Sequence, residues 1–514
     1  MFYLTGASSR RPRGGCLLTI VCNLRRLTRG LSSAAESIRA AVLPLFLASL
    51  FLALATPPAA ADVGVVLNES LDESMDRITG TGHTAIYFSN ICAESPTKLR
   101  LCGPGEAGSV MSTYINIGED QSFGWNIVPL NIYLYGVEDS RSRPIFGSFK
   151  IKHALEERYR ENYLAGLCET PSCQTSGKAE WREMVAATMI RGVYMFVVDT
   201  SIDQDRALIG ELNNASNENH FNGATNNCAD FARRIVNTYF PHAASRDVLN
   251  DFGITSPKAV ARTFTHYALR HPELNIRVMH FAQVPGTIKR SSDVRAGTEQ
   301  LFRSKKLLIP MVVFANEALP VVAASYVLTG RFNPNKEFEK HPATNLPPDD
   351  LVSALRLREV ALQDERTQIV GTSAEWKNYR KAFKSEIEDN RDSPEVHDRS
   401  RFFKYLDEKG IASVDADGAA WMQLYENGES VRIGVSASNV LTRESNPQLA
   451  YQLLLARTSV FLKSPKHRRE TMLEFHQDWA NLQRATNGPA AVSAGNAIPL
   501  NLARILPIPS GGTF

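Results

Sequence analysis

Two short segments far apart in the chain carry the side chains best suited to covalent chemistry. The first, at 81–88, reads TGHTAIYF and places His83 at the start of a predicted strand. The second, at 226–231, reads NNCADF and places Cys228 at the start of a predicted helix. A thiol that can pass its proton to an imidazole is a nucleophile, provided that the fold brings the two together. These two residues are therefore the first candidates for a reactive site.

The helix predicted from Cys228 has the features of a site that stabilises an anion. Asn227 is a good N-cap, because its side-chain oxygen can accept an N–H of the first helical turn. The free N–H groups of that turn stabilise a thiolate and can also hold an oxyanion that develops on an attacked carbonyl. Asp230 opposes thiolate formation, so we expect a nearby protonated imidazole to supply the remaining stabilisation. We therefore predict Cys228 as the nucleophile and Asn227 as a residue of the oxyanion or substrate site.

The strand that begins at His83 alternates between two faces. His83, Ala85 and Tyr87 share one of them, and two glycines just before the strand allow a close approach of the backbone. A lone histidine at a strand end is more often a polar residue hydrogen-bonded to a loop. The capped cysteine elsewhere in the chain favours a functional role for this one.

The first 61 residues have the pattern of an export signal. Several arginines precede an apolar run at 40–55, and small residues follow it as far as Ala61. The run has the length of the apolar part of a signal peptide and is short for a membrane span. We expect cleavage near Asp62 and an exported, bacterial type of protein in the periplasm or outer envelope, with 1–61 as the signal peptide.

The cysteines beyond that signal suggest two local disulfides. In an oxidising compartment we expect Cys92 to pair with Cys102 and Cys168 with Cys173. Cys228 is then left unpaired. An unpaired thiol in an exported protein is buried and inert, joined to another molecule, or reactive.

The composition is that of an ordinary globular protein. Apolar residues make up 43% of the 514 residues and charged residues 22%, and the formal charge is +3. So small an excess of positive charge gives no reason to expect nucleic acid as a partner. The sequence contains no phosphate-binding glycine loop and no His/Cys cluster with metal-ligand spacing, so we expect neither a cofactor nor a metal.

Residues 62–290 are predicted to form an α+β domain. Strands are predicted at 83–88, 110–117, 131–135 and 192–198, and helices at 69–78, 149–167, 204–213 and 228–239. Strands grouped between helices, without regular alternation, favour an antiparallel sheet.

Three further regions follow that domain. Residues 291–345 form an apolar segment and linker, in which 307–328 is almost uncharged and long enough to cross a bilayer. Basic residues just before this stretch oppose the positive-inside bias, so we favour a buried or membrane-surface helical hairpin over a span. Residues 346–486 are predicted to form a mostly helical C-terminal domain, and 487–514 a disordered tail rich in proline, glycine and alanine.

The order of the two candidate residues resembles the circularly permuted NlpC-type papain-like fold, which includes lecithin–retinol acyltransferase-like proteins. In ordinary papain-like enzymes the cysteine helix comes first, whereas in the permuted group the histidine strand comes first, as here. The resemblance rests on Thr81-Gly82-His83 and on Asn227-Cys228 followed by Phe231, and it covers about 62–241. It implies Cys228 as nucleophile and His83 as general base and acid.

The resemblance also implies a third polar residue that orients the imidazole from the next strand. The predicted strand 110–117 offers Ser112, Tyr114 and Asn116 on one face. We choose Asn116, because the end of the returning strand should lie opposite His83. The chain has no second histidine there, unlike the acyltransferase-like members, and the substrate class stays open.

Two hypotheses of function follow from the sequence. The first is an exported cysteine hydrolase or acyltransferase that acts on an amide or ester of the cell envelope, either a peptidoglycan peptide or a lipid. The second is a non-catalytic, membrane-associated binding or scaffold protein on the same fold, with the charged C-terminal region as its interaction surface. A redox role for Cys228 has less support, because no Cys-x-x-Cys motif is present.

Overall fold

The computed structural model describes five main stretches of the chain, 60–71, 82–165, 180–303, 308–343 and 399–463. Short gaps fall within these stretches at 116, 119–122, 219, 310–311, 314–316 and 427, and the isolated positions 381, 478 and 481–482 are also described. The predicted signal peptide as far as residue 59, the predicted third residue Asn116 and the predicted pair Cys168–Cys173 lie outside the described residues.

The chain is an α+β protein built on an antiparallel sheet. The strands are β1 (Ala60–Asn68), β2 (His83–Phe88), β3 (Ile91–Ser95), β4 (Lys98–Leu101), β5 (Ser109–Ser112), β6 (Asn126–Pro129), β7 (Val193–Ser201), β8 (Arg277–Phe281), β9 (Ile411–Val414), β10 (Ala420–Glu426) and β11 (Glu429–Gly434). The main sheet has the order β6-β5-β2-β1-β7-β8, with each neighbouring pair antiparallel. The predicted fold class and sheet type are confirmed.

Helices flank this sheet on both faces. They are α1 (Leu130–Tyr135), α2 (Phe149–Tyr159), α3 (Ala187–Ile190), α4 (Ile202–Asn214), α5 (Cys228–Tyr239), α6 (Pro257–Arg270), α7 (Gly297–Arg303), α8 (Ala318–Ser325), α9 (Pro334–Lys340), α10 (Arg399–Lys409) and α11 (Pro447–Lys463). Within the stretches that the structure describes, no helix is both long enough and apolar enough to cross a membrane.

Several predicted elements are confirmed and one is wrong. The strand 83–88 and the helix 228–239 have the predicted bounds. The segment 131–135, predicted as a strand, is helix α1, which ends at Gly136 with a left-handed φ of 77°. Its side chains are apolar and buried on nearly all sides, and in such a short run periodicity cannot distinguish a strand from a helix. Strand β5 ends at Ser112, five residues before the predicted end.

The alternation predicted for β2 separates two hydrophobic clusters. Ala85 and Tyr87 belong to the cluster on one face of the sheet, and Ile86 and Phe88 to the cluster on the other. The first cluster includes residues of α1, α2 and the described C-terminal stretch, and the second includes residues of α5 and α6. Helix α5 therefore packs against the side of β2 that carries Ile86 and Phe88.

The described C-terminal residues, 399–463, hold a second antiparallel sheet of order β11-β10-β9 together with α10 and α11. Strands therefore accompany the helices predicted for this region. Side chains of these elements, including Leu406 and Leu453, are buried in the same cluster as Phe146 and Tyr133. The guanidinium of Arg457 in α11 also donates a hydrogen bond to the carbonyl of Ile145.

Candidate active site

The start of α5 is fixed by Asn227, as predicted. Its side-chain oxygen accepts the amides of Ala229 at 2.8 Å and Asp230 at 3.0 Å. Its side-chain nitrogen donates to the carbonyls of Gly223 at 3.0 Å and Thr255 at 3.1 Å. These four bonds occupy the amide group fully, so Asn227 acts here as the helix cap, and its role at an oxyanion stays a prediction.

The peptide of Thr84 connects the cysteine to the histidine strand. Beyond the pair Ile86–Met111, strands β2 and β5 no longer pair, so the N–H and C=O of Thr84 lack a strand partner on that side. The N–H of Thr84 instead lies close enough to the Cys228 sulfur to lower the pKa of the thiol. The C=O of Thr84 accepts the hydroxyl of Ser112 at 3.2 Å. The N-terminal start of α5 thus lies where the two strands separate, and the carbonyl of Thr84 finds its partner there in Ser112.

Ser112 also holds the imidazole of His83. Its Oγ lies 2.7 Å from His83 Nε2. In the tautomer that uses both contacts, the Ser112 hydroxyl donates to Thr84 and its oxygen accepts the Nε2 proton of His83, so that the basic lone pair is on Nδ1. The ring of Tyr114 stacks on that of His83, with centroids 4.0 Å apart and planes 12° apart. Among the described residues Ser112 takes the orienting position, while Asn116 lies outside them and its role stays a prediction.

The turn before His83 requires glycine. Gly82 has a φ of 69°, and a Cβ at this position would lie 2.5 Å from the carbonyl oxygen of Asn68. Asn68 pairs with His83 across β1 and β2, and its side-chain amide is hydrogen-bonded to the Tyr133 hydroxyl at 2.7 Å. The close backbone approach predicted for the glycines is confirmed at Gly82, directly before the first residue of β2.

Burial keeps both members of the pair neutral. Cys228 is only 9% exposed, and burial raises the pKa of its thiol from 9.0 to about 11 against the opposing effect of the Thr84, Ala229 and Cys228 amides. Burial, reinforced by the positive charge of Arg191, holds the pKa of His83 well below its ordinary value. The expected thiolate beside a protonated imidazole is therefore wrong for the resting site, because desolvation outweighs the helix start. Among the described residues, no hydrogen bond joins the sulfur directly to the imidazole.

A buried guanidinium lies close enough to Cys228 and His83 to affect the pKa of each. Arg191 forms an ion pair with Glu183, and its charge lowers the pKa of both Cys228 and His83. Its Nε and the hydroxyl of Tyr114 are buried and have no hydrogen-bond partner within the described part of the chain. Sequence reasoning missed Arg191, since a single arginine before a strand gives no signal in the sequence of its later burial.

The carboxylate of Asp230 is compensated by its neighbours. Its Oδ1 accepts the Thr255 hydroxyl at 2.6 Å and the Arg246 guanidinium at 2.8 Å, and Arg233 lies 3.6 Å away. The charge that we expected to oppose thiolate formation is thus paired with arginines on the side of the loop that follows α5. The same contacts anchor the loop residue Thr255 to the first turn of the helix.

The predicted disulfide between Cys92 and Cys102 is present, with the sulfurs 2.06 Å apart. It links β3 to the residue that follows β4. These two cysteines and Glu106 are the one group of described residues with metal-ligand spacing, and both sulfurs are used by the disulfide.

The fold and the site define an α+β protein in which a capped helix delivers a cysteine to the end of a histidine-bearing strand. No protein-family model matches the chain, and no match was found among curated proteins or solved structures.

Proposed function

We propose that the chain is an exported cysteine hydrolase or acyltransferase on a permuted papain-like domain, acting on an amide or ester of the cell envelope. Cys228 is the nucleophile and His83 the general base and acid. The observation that carries the proposal is the position of the Thr84 peptide between the two residues. Its carbonyl accepts the hydroxyl of Ser112, the partner of His83, and its N–H lies close enough to the Cys228 sulfur to lower the pKa of the thiol.

The neutral state of the pair determines the order of the proposed steps. A thiol pKa about four units above pH 7 makes a free thiolate cost about 5 kcal/mol, at about 1.4 kcal/mol per unit. A neutral His83 can accept a proton, whereas a protonated one cannot. The proton therefore passes to Nδ1 as the sulfur approaches the carbonyl, once the imidazole and the thiol come within reach of each other, directly or through one water.

The reaction then proceeds through an acyl–cysteine. The sulfur adds to the carbonyl carbon, and the carbonyl oxygen takes up the negative charge close to the Cys228 amide at the start of α5. His83 returns its proton to the leaving amine or alcohol as the carbon–heteroatom bond breaks. Water or a second nucleophile next gives its proton to His83 and attacks the thioester, which releases the acyl group and restores the thiol.

Export and contact with a membrane complete the proposal. The apolar run and small residues before Asp62 support export, and the apolar stretch 307–328 supports membrane association. In this setting the substrate is a peptidoglycan peptide or a lipid ester.

Product formation from both substrate classes tests the proposal. Peptidoglycan fragments and phospholipid are incubated separately with the wild type, Cys228→Ala and Ser109→Ala. Ser109 is the matched control, because it is a buried serine of β5 whose hydroxyl has no partner among the described residues. We expect products from one class with the wild type and the control, and none with Cys228→Ala. Equal product from Cys228→Ala would refute the mechanism.

The burial of Cys228 supports a second candidate, a non-catalytic envelope scaffold on the same fold. A thiol that is 9% exposed, with a pKa raised to about 11, also suits a structural cysteine. For this candidate, Cys228→Ser retains full function in cells, while loss of residues 346–486 abolishes it.

A further inference from the structure

The loop between α5 and α6 exposes four large apolar side chains within seven residues. Val248 is 64% exposed, Leu249 61%, Phe252 53% and Ile254 42%. Single apolar residues are common on protein surfaces, but such a group on one short loop marks a site of interaction.

This loop is held in shape by its own hydrogen bonds. The amide of Asp251 donates to the carbonyl of Asp247 at 3.0 Å, and that of Gly253 donates to Val248 at 3.1 Å. The Asp247 carboxylate accepts from Asn250 and forms an ion pair with Arg262. The apolar side chains are therefore presented by an ordered loop whose Asp247 charge is already neutralised.

Phe252 shows that this presentation has an energetic cost. Its φ is 53°, a left-handed conformation that is unfavourable for a bulky residue. Over half of its surface still faces solvent, so packing within the chain does not account for the strain. Strain of this kind is found at sites of function.

Helix α8 packs next to this loop and carries exposed apolar side chains of its own. The Ser325 hydroxyl lies 3.4 Å from Asn250 Oδ1, and a Cβ on Gly330 would lie 2.6 Å from the same atom. Val321 in α8 is 64% exposed and Val327, just beyond it, is 49% exposed. The docking surface is defined here as Val248, Leu249, Phe252, Ile254, Val321 and Val327.

A cavity of about 450 Å³ with several basic residues lies beside this surface. Tyr326, next to Val327, lines it together with Lys258, Arg295, Arg331 and Lys336, and with the acidic residues Asp293, Glu299 and Glu337. Glu299 is paired with Lys258 at 2.7 Å, and Glu337 with Lys340 at 3.0 Å. Arg331 and Lys336 are exposed and have no ion-pair partner among the described residues. The cavity can therefore attract a phosphate group.

We infer that the docking surface binds the surface of an anionic lipid bilayer. Leu249 and Phe252 enter the acyl-chain boundary, and Arg331 and Lys336 meet lipid phosphates. Apolar residues beside unpaired cations match a bilayer better than they match a peptide or a second copy of the chain. The inference does not depend on the reaction at Cys228. It does place the lipid close to that residue, because Thr255 accepts from Asn227 and follows the loop directly.

A tryptophan probe on the loop tests this inference locally, apart from any effect of the apolar run at 40–55. The full-length Phe252→Trp chain is mixed with phosphatidylcholine vesicles, with and without phosphatidylglycerol, that carry brominated acyl chains. Tyr425→Trp is the matched control, since Tyr425 is 63% exposed on β10, outside the docking surface. We expect a blue shift and quenching for Phe252→Trp with the anionic vesicles, beyond the wild-type signal, and no change for Tyr425→Trp.

Two further variants separate the possible outcomes. Arg331→Gln with Lys336→Gln, added to Phe252→Trp, should weaken the apparent vesicle affinity about thirtyfold, at about 1 kcal/mol per basic residue. Cys228→Ser in the same background should leave quenching unchanged, so quenching together with a lack of acyl transfer by the wild type would refute only the proposed function. Phe252→Trp that is not quenched, or that is buried by self-association without vesicles, would overturn the lipid assignment.

Discussion

The chemistry of the site depends on the competition between burial and hydrogen bonding at one thiol. Three main-chain amides and the charge of Arg191 lower the pKa of Cys228, and burial raises it by more. The lowering of the pKa by the helix start could be predicted from the sequence, because a cap and a helix start can be recognised from residue types. The rise of the pKa on burial could not be predicted, because the exposure of Cys228 depends on how β2, β5 and the loop after α5 surround it.

The raised thiol pKa predicts a stability change at alkaline pH. Between pH 9 and 11 the unfolded chain loses the Cys228 proton, while the folded chain keeps it. The free energy of unfolding should therefore fall as pH rises through this range, by about 2 to 3 kcal/mol from this residue. Urea titrations of the wild type and Cys228→Ala measure this as the difference between the two, since buried tyrosines titrate in both. Parallel pH profiles would contradict the assigned pKa.

The lowered pKa of His83 predicts the opposite dependence at acid pH. Below a pH of about 6.5 the histidine binds a proton in the unfolded chain but not in the folded one. The free energy of unfolding should therefore fall as pH drops from about 6.5 toward 5. His83→Gln should remove this part of the slope, which denaturant titrations at several pH values can measure. A slope identical to that of the wild type would show that His83 titrates normally.

Ser112 offers a direct test of how the imidazole is oriented. Ser112→Ala removes the acceptor for Nε2–H and should lower the rate of Cys228 acylation about tenfold or more, because the ring then populates the wrong tautomer or orientation. The acidic limb of the pH–rate profile should also move. Ser109→Ala, in the same strand, should leave both unchanged. Equal effects of the two substitutions would make the Ser112 effect merely structural.

At the scale of elements, local signals predicted the two that carry the pair. The cap residue Asn227 and the apolar residues at helical spacing predicted the bounds of α5. The alternation of side chains between two faces predicted those of β2. The predicted end of the strand 110–117 is wrong, because β5 ends at Ser112, where its neighbour diverges from it. Strand β1 was not predicted either, because its first residues were assigned to the end of the signal peptide.

The cap of α5 should account for a measurable part of the stability. Asn227→Ala leaves the amides of Ala229 and Asp230 without their acceptor, and should lower the free energy of unfolding by about 1 to 2 kcal/mol. Asn227→Asp keeps both acceptor bonds and should cost less. Thermal and urea unfolding of the two variants compare them. A larger loss for Asn227→Asp would mean that repulsion between the new carboxylate and the carbonyls of Gly223 and Thr255 outweighs the two acceptor bonds that it keeps.

At the scale of the whole molecule, the described C-terminal stretch shares its core with the main sheet. Leu453 in α11 is fully buried in the cluster that contains Tyr133 and Phe146. The sequence suggested a separate region beyond residue 346, because a linker and a change in charge pattern are visible in it, whereas contacts between distant segments are not.

This shared core predicts a single unfolding transition for the two parts. Leu453→Ala should cost about 2 to 5 kcal/mol and should shift the denaturant midpoint for alkylation of Cys228, which reports opening of the main sheet. The exposed Tyr425→Ala is the control. An unchanged midpoint for Cys228 in Leu453→Ala would show that the two parts unfold separately.

In the proposed mechanism His83 activates Cys228 toward a carbonyl. Intact-mass measurement of the acyl adduct formed with an activated ester, followed over time at neutral pH, tests this activation. We predict one adduct on Cys228 in the wild type and in Ser109→Ala, formed at least about a hundredfold more slowly in His83→Gln and absent in Cys228→Ala. An adduct that forms on Cys228 at the same rate with and without His83, or only after unfolding, would contradict the claim and identify Cys228 as a structural residue.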